Sequence, residues 1–545
     1  MNPFVWAIGM MVATLPSSRP NVLLICVDDL KPNLGCYGDK LAVSPHIDAL
    51  ARWGVRFDAA YCNQAVCSPS RNSLLTGMRP QSLGIYDLAT NFRKAAPDAV
   101  TLPQLFKQSG YRTEALGKVF HVGHGNHEDA ASWSVPHFQA KTVGYALPDN
   151  RAGQTREGAL FENMDPKDKP KGPAFEKADV PDEAYGDGII AREAVARLRS
   201  AAAKPDQPFF LAIGFLKPHL PFCAPKKYWD MHDPAKFTLA SVRTPPAGAP
   251  DWAPQFGGEL RNYKDMPAKG PIPDETQRTL IHGYYAATSY MDAQLGKVIA
   301  VLRATGLADN TIIVLWGDHG WHLGDHGMWC KHTNYEQATR IPLIVVAPAV
   351  AKPETGTKAL VETVDIFPTL CALAKITPPK GLDGISFTPT LSDPAAKGRD
   401  SVTHVYPRGP RLGRAIRTET HRLVEWKPIG APVSEAVYEL YDYKNDPSET
   451  RNIAEMDKEV SNRLKRILAG HPEAKPQFQT KAGKTDRAAL FDRKDSNKDG
   501  RLSREEFLAN QPDPDKAPAR FLDFDTNKDG VLSRDEFILM GKNPK

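Results

Sequence analysis

The sequence predicts an α/β fold with a mostly parallel central sheet flanked by helices, followed by a small antiparallel α+β region and an α-helical tail. Three observations predict it: continuous apolar runs of strand length, a helix-period segment between two of them, and a change to short strands after about residue 397. At 545 residues the chain is too long for one ordinary core, so several domains are expected.

Four apolar runs predict the central strands: NVLLICV (21–27), FFLAIGF (209–215), TIIVLWG (311–317) and IPLIVVAP (341–348). Such runs suit strands that are buried on both faces, as in a parallel sheet. The segment YYAATSYMDAQLGKVIAVLRATG (284–306) has apolar residues at three-to-four spacing and a glycine stop, which predicts a helix. The alternation predicts an α/β domain over residues 20–397.

Residues 398–471 have a different character. The short runs SVTHVY, GRAIRT, HRLVEWK and VYELYDY are separated by polar turns and precede the helical DKEVSNRLKRILAGH, which predicts an antiparallel sheet with one helix. The segment PEAKPQFQTKAGK (472–484) is rich in Lys, Pro, Gly and Gln and predicts a linker to a third unit, residues 485–545.

The third unit contains an internal repeat, DSNKDGRLSREEF from Asp495 and DTNKDGVLSRDEF from Asp525. Oxygen side chains at positions 1, 3, 5 and 9, Gly at 6 and Glu at 12 give the spacing of an EF-hand calcium loop. A dockerin-like attachment module shares this loop chemistry, but a helical segment enters each loop here and each loop ends Glu-Phe, which favours paired EF-hands. The predicted ligands, including the carbonyls at position 7, are Asp495, Asn497, Asp499, Arg501, Ser503, Glu506, Asp525, Asn527, Asp529, Val531, Ser533 and Glu536.

The N-terminal residues 1–19 have an apolar core from Phe4 to Ala13 and small residues after it, which predicts an export signal and a periplasmic or extracellular protein. There is no Lys or Arg before Arg19, so a disordered leader or a mis-assigned start codon is the alternative. No apolar run is long enough to span a bilayer. A net charge of +5 without a dense basic block argues against nucleic acid, and seven irregularly spaced cysteines argue against a disulfide framework.

Two pairs of candidate metal ligands follow apolar runs. Asp28 and Asp29 come directly after the first run, and Asp318 with His319 follows TIIVLWG. Open α/β sheets place their ligand sites at the carboxyl ends of strands, so these two ends are expected to meet. Three carboxylates and an imidazole suit Ca²⁺ or Mg²⁺ better than zinc. Taken singly, either pair is more often a helix cap or a turn.

The stretch QAVCSPSRNSLLTG (64–77) predicts a helix with Ser68 as N-cap and Pro69 at the first helical position. Cys67 then stands just before a helix N-terminus, where backbone N–H groups favour an anion. Arg71, one turn further on, carries a guanidinium suited to a tetrahedral oxyanion. The ordinary interpretation of such a cysteine is a core or disulfide residue.

The run CSPSRNSLLTG resembles the signature of the type I sulfatase family, Cys-x-Pro-Ser-Arg followed by Leu-Thr-Gly, in which the cysteine is oxidised to formylglycine. Further similar stretches follow in the family's order: VDDL (27–30), GKVFH (117–121), KPHLPF (217–222), WGDHGWHLGDHG (316–327), WCKHTNYE (329–336) and ELYDYKNDPSE (439–449). The resemblance covers residues 20–470 and implies an alkaline-phosphatase-like α/β fold.

Within this family the chain is most similar to the iduronate-2-sulfatase branch. The stretches LGCYGDKLAVSPHIDALA and QAVCSPSR carry this similarity, as do Lys118 and His121 three residues apart and an Asp-His metal pair. Many other sulfatases have Lys-Trp-His and Asp-Asn at these places. The resemblance therefore implies a sulfated, uronate-containing oligosaccharide or polysaccharide as substrate and a formylglycine-generating maturation enzyme as partner.

The resemblance also implies a role for each site residue. A Ca²⁺ ion that contacts the sulfate and the nucleophile is held by Asp28, Asp29, Cys67, Asp318 and His319. The negative charge of the sulfate is neutralised by the metal together with three side chains, Arg71, Lys118 and Lys331. Hydrated formylglycine at Cys67 carries two hydroxyls, of which one, activated by the metal and Asp318, attacks sulfur.

Proton transfer is assigned in the same way. His219, with Lys331, protonates the departing sugar oxygen. His121 deprotonates the second formylglycine hydroxyl, so that sulfate leaves by carbon–oxygen cleavage.

Two other functions stay open at this point. The first is a phosphatase or phosphonate monoester hydrolase of the same architecture, which would share the metal site. The second is an inactive Ca²⁺-dependent adhesion or scaffold protein, against which the completeness of the site argues. The EF-hand tail is expected to mediate attachment or stability at the cell surface, and the loops over 124–180 and 224–275, expected to recognise substrate, have no pattern that identifies it.

Overall fold

The computed structural model describes residues 19–140, 144–151, 171–479, 487–509 and 517–539. The chain divides into two compact units, Met1–Phe478 and Gln479–Lys545. The predicted leader lies outside the described residues except for Arg19. Among the described residues, no helix has the length and apolar character needed to cross a bilayer.

Helices and strands are numbered in chain order. The helices are α1 (Pro45–Trp53), α2 (Cys67–Thr76), α3 (Pro80–Leu83), α4 (Phe92–Ala95), α5 (Leu102–Gln108), α6 (Pro148–Arg151), α7 (Gly186–Ala202), α8 (Lys226–Trp229), α9 (Asp274–Ala304), α10 (Glu336–Thr339), α11 (Ile366–Ala374), α12 (Thr388–Ser392), α13 (Lys458–Ala469), α14 (Arg487–Lys494), α15 (Arg504–Leu508), α16 (Ala517–Phe524) and α17 (Arg534–Leu539). The strands are β1 (Asn21–Val27), β2 (Val55–Tyr61), β3 (Arg112–Gly117), β4 (Phe175–Ala178), β5 (Phe209–Phe215), β6 (Phe222–Pro225), β7 (Thr311–Gly317), β8 (His322–Leu323), β9 (Trp329–Cys330), β10 (Arg340–Val346), β11 (Thr355–Thr357), β12 (Val361–Glu362), β13 (Val402–Arg408), β14 (Arg411–Arg417), β15 (His421–Pro428), β16 (Val437–Asp442), β17 (Arg501–Ser503) and β18 (Val531–Ser533).

Within the described chain the central sheet has eight strands, in the order β11-β2-β10-β7-β1-β5-β3, with β12 also paired to β2. The predicted mostly parallel α/β sheet is confirmed: β1 pairs in parallel with both β5 and β7, and β3 pairs in parallel with β5. One of the four apolar runs differs, because β10 is antiparallel to β2 and to β7. An apolar run shows that a strand is buried on both faces, not which way it points.

The two faces of β1 lie in two separate cores, which explains its unbroken apolar sequence. Val22, Leu24 and Cys26 pack with residues of α2, α5 and α11 on one face. Leu23, Ile25 and Val27 pack with residues of α1, α7 and α9 on the other. Because alternate side chains point to opposite faces, only a strand covered by helices on both sides can be apolar at every position.

The region after the central sheet forms the predicted antiparallel sheet, β13-β14-β15-β16, with α13 packed on β14 and β15 through the core cluster of Leu423, Leu440 and Leu464. The predicted 472–484 linker begins as a packed segment. Phe478 N donates to Gly84 O, and Tyr86 N donates to the Gln477 side chain at 2.9 Å. The first compact unit therefore extends to Phe478, and the domain boundaries drawn from the sequence stay predictions.

The second unit contains two helix–loop–helix motifs that share a small core. α14 and α15 flank the first loop, and α16 and α17 flank the second. The two loops pair through β17 and β18, with Leu502 opposite Leu532, and both leucines are fully buried. Phe507, Phe521 and Phe537 complete the core.

Candidate active site

The site begins where β1 and β7 end. The two strands are adjacent and parallel, with Val27 opposite Gly317, so the residues that follow them emerge side by side. Asp28 N donates to Phe215 O at 3.2 Å and Asp318 N donates to Val27 O at 3.1 Å, which extends the pairing one residue beyond each strand. Both side chains are buried, Asp28 at 1% and Asp318 at 0% exposure.

Asp29 turns the chain into the site. Consecutive side chains of an extended strand point in opposite directions, but Asp29 has a φ of 59°, in the left-handed region that few non-glycine residues adopt. Its N–H donates to Asp318 Oδ1 at 3.0 Å, and its carboxylate accepts from Lys331 Nζ at 3.1 Å through both oxygens. Local strain of this kind is typical of functional sites.

Cys67 lies at the N-terminus of α2. The prediction of Ser68 as N-cap is wrong: the helix begins at Cys67, Val66 is the cap, and Pro69 is the third helical residue. Pro69 is tolerated there because N–H groups of the first turn have no partner within the helix. Cys67 Sγ lies 3.5 Å from Asp28 Oδ1, 3.4 Å from His319 Nε2 and 3.5 Å from Lys118 Nζ.

Arg71 bridges the two strand ends from the same face of α2, one turn after Cys67. Its Nη2 lies 2.9 Å from Asp28 Oδ1 and 2.9 Å from Asp318 Oδ2, and its Nε donates to the same Asp318 oxygen at 3.0 Å. The guanidinium is fully buried. It therefore acts as a fixed positive charge between two carboxylates, which is the role a rigid fork of donors performs well.

Lys118 follows directly after β3. Its N–H donates to Gly214 O at 2.9 Å, and its ammonium donates to Asp28 Oδ2. Burial lowers the pKa of Lys118, but Asp28 outweighs this, so the pKa lies above its ordinary value and the side chain is charged.

Lys331 lies between two residues with positive φ, Cys330 at 70° and His332 at 66°. Its ammonium lies 3.1 Å from Asp29 Oδ1 and 2.9 Å from Glu259 Oε2. Burial opposes its charge, but Asp29 and Glu259 raise its pKa well above the ordinary value. Lys331 is thus a buried cation at the edge of the cluster.

His219 stands on the same side of the site as Lys331. Its Nδ1 donates to Leu220 O at 2.6 Å, and its Nε2 lies 3.3 Å from Glu259 Oε1 and 3.8 Å from Asp29 Oδ2. Donor atoms of Asp28, Asp29, Cys67 and His219 all lie within 4.8 Å of one another, so the imidazole is beside the cysteine.

His121, three residues beyond Lys118, is buried and its Nε2 lies 3.0 Å from His124 Nδ1. Burial and the Lys118 charge lower the pKa of His121 well below its ordinary value, which keeps the imidazole neutral. A neutral imidazole is the form that accepts a proton. His124 has a φ of 55° and was not identified from the sequence.

The donor set of Asp28, Cys67, Asp318 and His319 fits a cation. Its atoms lie within 4.8 Å of one another, and two ligands each about 2.4 Å from one Ca²⁺ can be at most about 4.8 Å apart. His319 Nδ1 donates to Gly320 O at 3.1 Å, so its Nε2 presents a lone pair towards Asp29 Oδ1 at 3.3 Å. A lone pair and a carboxylate repel each other, and a cation between them removes the repulsion.

The pKa values point the same way. Burial opposes the ionisation of Asp28, but Lys118 and Arg71 hold its pKa well below the ordinary value. Burial raises the pKa of Asp29 well above the ordinary value despite Lys331, and it raises the pKa of Asp318 to about 7. Because burial is the main cause of the raised pKa values of Asp29 and Asp318, a bound cation would favour the ionised form of both, and an oxygen-rich site of this kind suits Ca²⁺.

The structure brings together nine of the ten residues proposed from the sequence for this site: Asp28, Asp29, Cys67, Arg71, Lys118, His219, Asp318, His319 and Lys331. The tenth, His121, lies three residues beyond Lys118 in the chain, and its Nε2 lies 3.0 Å from His124 Nδ1. Sequence reasoning missed Glu259, which contacts two of the nine. It lies in the irregular segment GGELR, where no strand end or spacing marks a functional residue.

The EF-hand loops are folded in the manner of calcium loops. In the first, Asp495 accepts from the N–H groups of Asp499 at 3.1 Å and Gly500 at 2.9 Å. Glu506 reaches back to accept from Ser496 N and Ser503 N, each at 3.0 Å. The second loop repeats these contacts with Asp525, Asp529, Gly530, Ser533 and Glu536. The side chains at positions 1 and 12 are thus already held by the loop backbone.

Comparison with known families adds three matches. Residues 20–376 match the family model for sulfatase, and residues 324–473 match the model for the C-terminal region of N-sulphoglucosamine sulphohydrolase. Residues 487–509 and 519–540 match the EF-hand model.

Individual relatives agree. The chain is 39% identical to iduronate 2-sulfatase of Mus musculus over 511 residues, which covers 79% of this chain and 90% of that protein. Among solved structures, BT4656 in complex with D-glucosamine-2-N,6-O-disulfate is similar with a TM-score of 0.65 and 23% identity, over 83% of this chain and 97% of that one. A phosphonate monoester hydrolase from Silicibacter pomeroyi is similar with a TM-score of 0.66 and 23% identity, over 83% and 95%. At such identities the structures support the fold alone, which is of the alkaline-phosphatase type predicted.

Proposed function

Since this chain belongs to the sulfatase family and is a sulfatase, we propose that it removes sulfate from a uronate-containing oligosaccharide or polysaccharide, using formylglycine made from Cys67 and a bound Ca²⁺. The observation that carries the proposal is the position of Cys67. Its Sγ lies within 3.5 Å of Asp28, His319 and Lys118 at a helix N-terminus. A hydroxyl carried by residue 67 would therefore lie beside the residues that can bind a cation and beside the buried, positively charged Lys118.

The state of the thiol supports the modification. Burial and the nearby Asp28 raise the pKa of Cys67 well above its ordinary value, even though Lys118 and Lys331 oppose this. The thiol is therefore protonated, and a protonated thiol is a poor nucleophile. Oxidation of Cys67 by a maturation enzyme would supply a hydrated aldehyde with two hydroxyls, one to attack sulfur and one to lose a proton as sulfate leaves.

Binding and charge neutralisation come from residues already in place. Ca²⁺, when bound by Asp28, Asp29, Asp318 and His319, would supply positive charge to the carboxylates and to a sulfate oxygen. Arg71 and Lys118 hold Asp28 from two directions, so the carboxylate cannot swing away. Preorganised charge of this kind is usually the largest single contribution to catalysis of reactions in which charge develops.

Proton transfer would use the three residues at the edge of the cluster. His219 and Lys331 are buried side by side, and we assign to this pair the transfer of a proton to the departing sugar oxygen. Burial and the Lys331 charge lower the pKa of His219 well below its ordinary value, so Lys331 carries the proton of the pair. His121, neutral because of burial and Lys118, is suited to take the proton from the second hydroxyl. These roles follow the assignment made from the sequence.

Uronate preference rests on the relatives. The 39% identity to iduronate 2-sulfatase of Mus musculus covers 79% of this chain, whereas the likeness to a phosphonate monoester hydrolase is at the level of fold. The test is release of inorganic sulfate from a disaccharide with a terminal 2-sulfated uronate, compared with a matched sulfated sugar that lacks the carboxylate. A preference for the uronate by kcat/KM supports the proposal, and a preference for the neutral sugar refutes the uronate part alone.

A phosphate and a phosphonate monoester in the same assay test the reaction class. Faster turnover of either one than of every sulfate ester would refute the sulfate-ester proposal. The EF-hand tail is proposed to bind Ca²⁺ and to serve attachment or stability at the cell surface, outside the chemistry.

A further inference from the structure

Glu259 is a buried carboxylate beside the donor set, with 8% of its surface exposed. Its two oxygens contact two different functional groups. Oε2 lies 2.9 Å from Lys331 Nζ, and Oε1 lies 3.3 Å from His219 Nε2. It therefore lies between the two residues to which protonation of the leaving oxygen is assigned, and it makes an ion pair with Lys331.

The backbone around Glu259 is fixed to the segment that carries Lys331. The Gln255 side chain donates to Lys331 O at 2.9 Å and also to Trp329 O. Gly257 N donates back to Gln255 Oε1 at 2.6 Å, and Asn262 N donates to the backbone carbonyl oxygen of Glu259 at 3.0 Å. Glu259 thus lies on a short loop that is hydrogen-bonded to the segment carrying Lys331.

Lys331 and His219 each make a further contact besides the one with Glu259. Lys331 contacts both oxygens of Asp29 at 3.1 Å, and the His219 ring is oriented by its Nδ1 donation to Leu220 O at 2.6 Å. Without Glu259, these contacts leave Lys331 with Asp29, one of the residues proposed to hold Ca²⁺. The ammonium would then lose the carboxylate that it contacts on the His219 side.

We propose that Glu259 is a positioning residue for departure of an alcohol: its carboxylate holds the Lys331 ammonium beside the His219 imidazole, on the leaving-group side of the site. The proposal rests on the sulfatase function proposed above. It adds a residue in the 224–275 region and a property that can be measured, namely dependence of rate on the leaving group.

Comparing substrates whose leaving groups differ in basicity distinguishes this positioning role from a purely structural role of Glu259. A sugar alkoxide is a strong base and needs a proton as the ester bond breaks, whereas an acidic phenol leaves without one. Loss of Glu259 should therefore slow a sugar sulfate far more than an activated aryl sulfate. Damage to the fold, the metal site or the nucleophile would slow both substrates equally.

The experiment compares Glu259→Gln with Asp265→Asn in the full chain. Gln has the same shape as Glu but places an uncharged amide between Lys331 and His219. Asp265 lies six residues further along, is also acidic, and accepts from Ala174 N at 2.9 Å, which Asn can still do. Thermal unfolding and the mass of the Cys67 peptide establish that all proteins are folded and equally modified.

For Glu259→Gln we expect kcat on a 2-sulfated uronate disaccharide to fall about 10- to 100-fold, part of the full effect of general acid catalysis, while kcat on 4-nitrophenyl sulfate changes by less than about threefold. Asp265→Asn should leave both values near wild type. Glu259→Ala should repeat the pattern, which guards against a special effect of the amide. In a Lys331→Ala background, Glu259→Gln should add little further loss, since it acts through Lys331.

An equal loss on both substrates, or none on the disaccharide, would overturn the proposal. If the wild-type protein released sulfate from neither substrate, the sulfatase function itself would fail, and the wild-type control shows which of the two has failed.

Discussion

Gly117 of β3 and Gly214 of β5 lie directly opposite each other in parallel strands, and neither has room for a side chain. A Cβ on Gly117 would lie 2.1 Å from Gly214 O, and a Cβ on Gly214 would lie 2.0 Å from Lys118 O. The close approach is what lets Lys118 N donate to Gly214 O immediately after β3 ends. The pair of glycines therefore sets the position of the Lys118 ammonium beside Asp28 and Cys67.

Gly214→Ala should separate the two strand ends and move Lys118. We expect a loss of stability of about 1–3 kcal/mol from overpacking and a fall in kcat that exceeds the fall in substrate affinity. The check is chemical unfolding together with steady-state kinetics. Gly144→Ala, at a position where a Cβ meets nothing within 4 Å, is the matched control. Wild-type kcat in a stable Gly214→Ala protein would contradict this account of Lys118.

Calcium stoichiometry distinguishes the two kinds of metal site. We expect three Ca²⁺ per chain in the full-length protein: one at the cluster with Asp29 and one in each EF-hand loop. Glu506→Gln with Glu536→Gln should leave one tightly bound Ca²⁺, and Asp29→Asn added to these should remove this tight binding, because the amide supplies no charge. Isothermal titration after treatment with a chelator measures all three. Retention of one tight Ca²⁺ in the triple variant would contradict the proposed donor set.

The EF-hand loops should be separable from catalysis. Since position 12 supplies a bidentate carboxylate, Glu506→Gln and Glu536→Gln should each weaken calcium binding at their own loop by about tenfold or more. Sulfate release from a small substrate should stay within about twofold of wild type in the double variant, because the tail is a separate compact unit. A large loss of turnover on a disaccharide would instead place the tail in the catalytic machinery.

His404 makes stability depend on pH. Burial and Arg422 lower the pKa of His404 to about 3, whereas in the unfolded chain it is about 6.5. The unfolded state therefore binds the proton more tightly, and the contribution of neutral His404 is lost as pH falls from about 6.5 towards 3. The expected slope is about 1.4 kcal/mol per pH unit from this one group.

The matched variant is His404→Gln, which can still donate to Asn334 O, the acceptor of His404 Nε2 at 3.2 Å. Urea unfolding at several pH values should show the variant losing less stability than the wild type on acidification. Parallel curves for the two proteins would contradict the lowered pKa, because they would mean that His404 has the same pKa in the folded and the unfolded chain.

Some of these features could be read from the sequence, for definite physical reasons. The bounds of β1, β5 and β7 agree with the apolar runs because burial on both faces leaves no polar position. The meeting of Asp28 with Asp318 follows from two adjacent parallel strands. Cys67 and Arg71 were identified by resemblance to the sulfatase signature, and their spacing of four residues places them on one face of α2.

Other features depend on contacts between distant segments. The antiparallel direction of β10 leaves no trace in an apolar run. The cap of α2 is Val66, which makes no side-chain cap hydrogen bond, so no capping residue type marks the start of this helix. Glu259 enters the site from an irregular loop, and the fit of Gly117 to Gly214 exists only once β3 and β5 are paired. Such residues become visible only when the fold is known.

The most direct test of the central claim measures sulfate release against the fraction of chains whose Cys67 peptide has the aldehyde mass. Samples are prepared with and without a formylglycine-generating enzyme, and Cys67→Ala serves as the folded control. The account predicts turnover proportional to the aldehyde fraction, with none from Cys67→Ala. Full sulfatase activity in protein whose Cys67 peptide has only the thiol mass would contradict it.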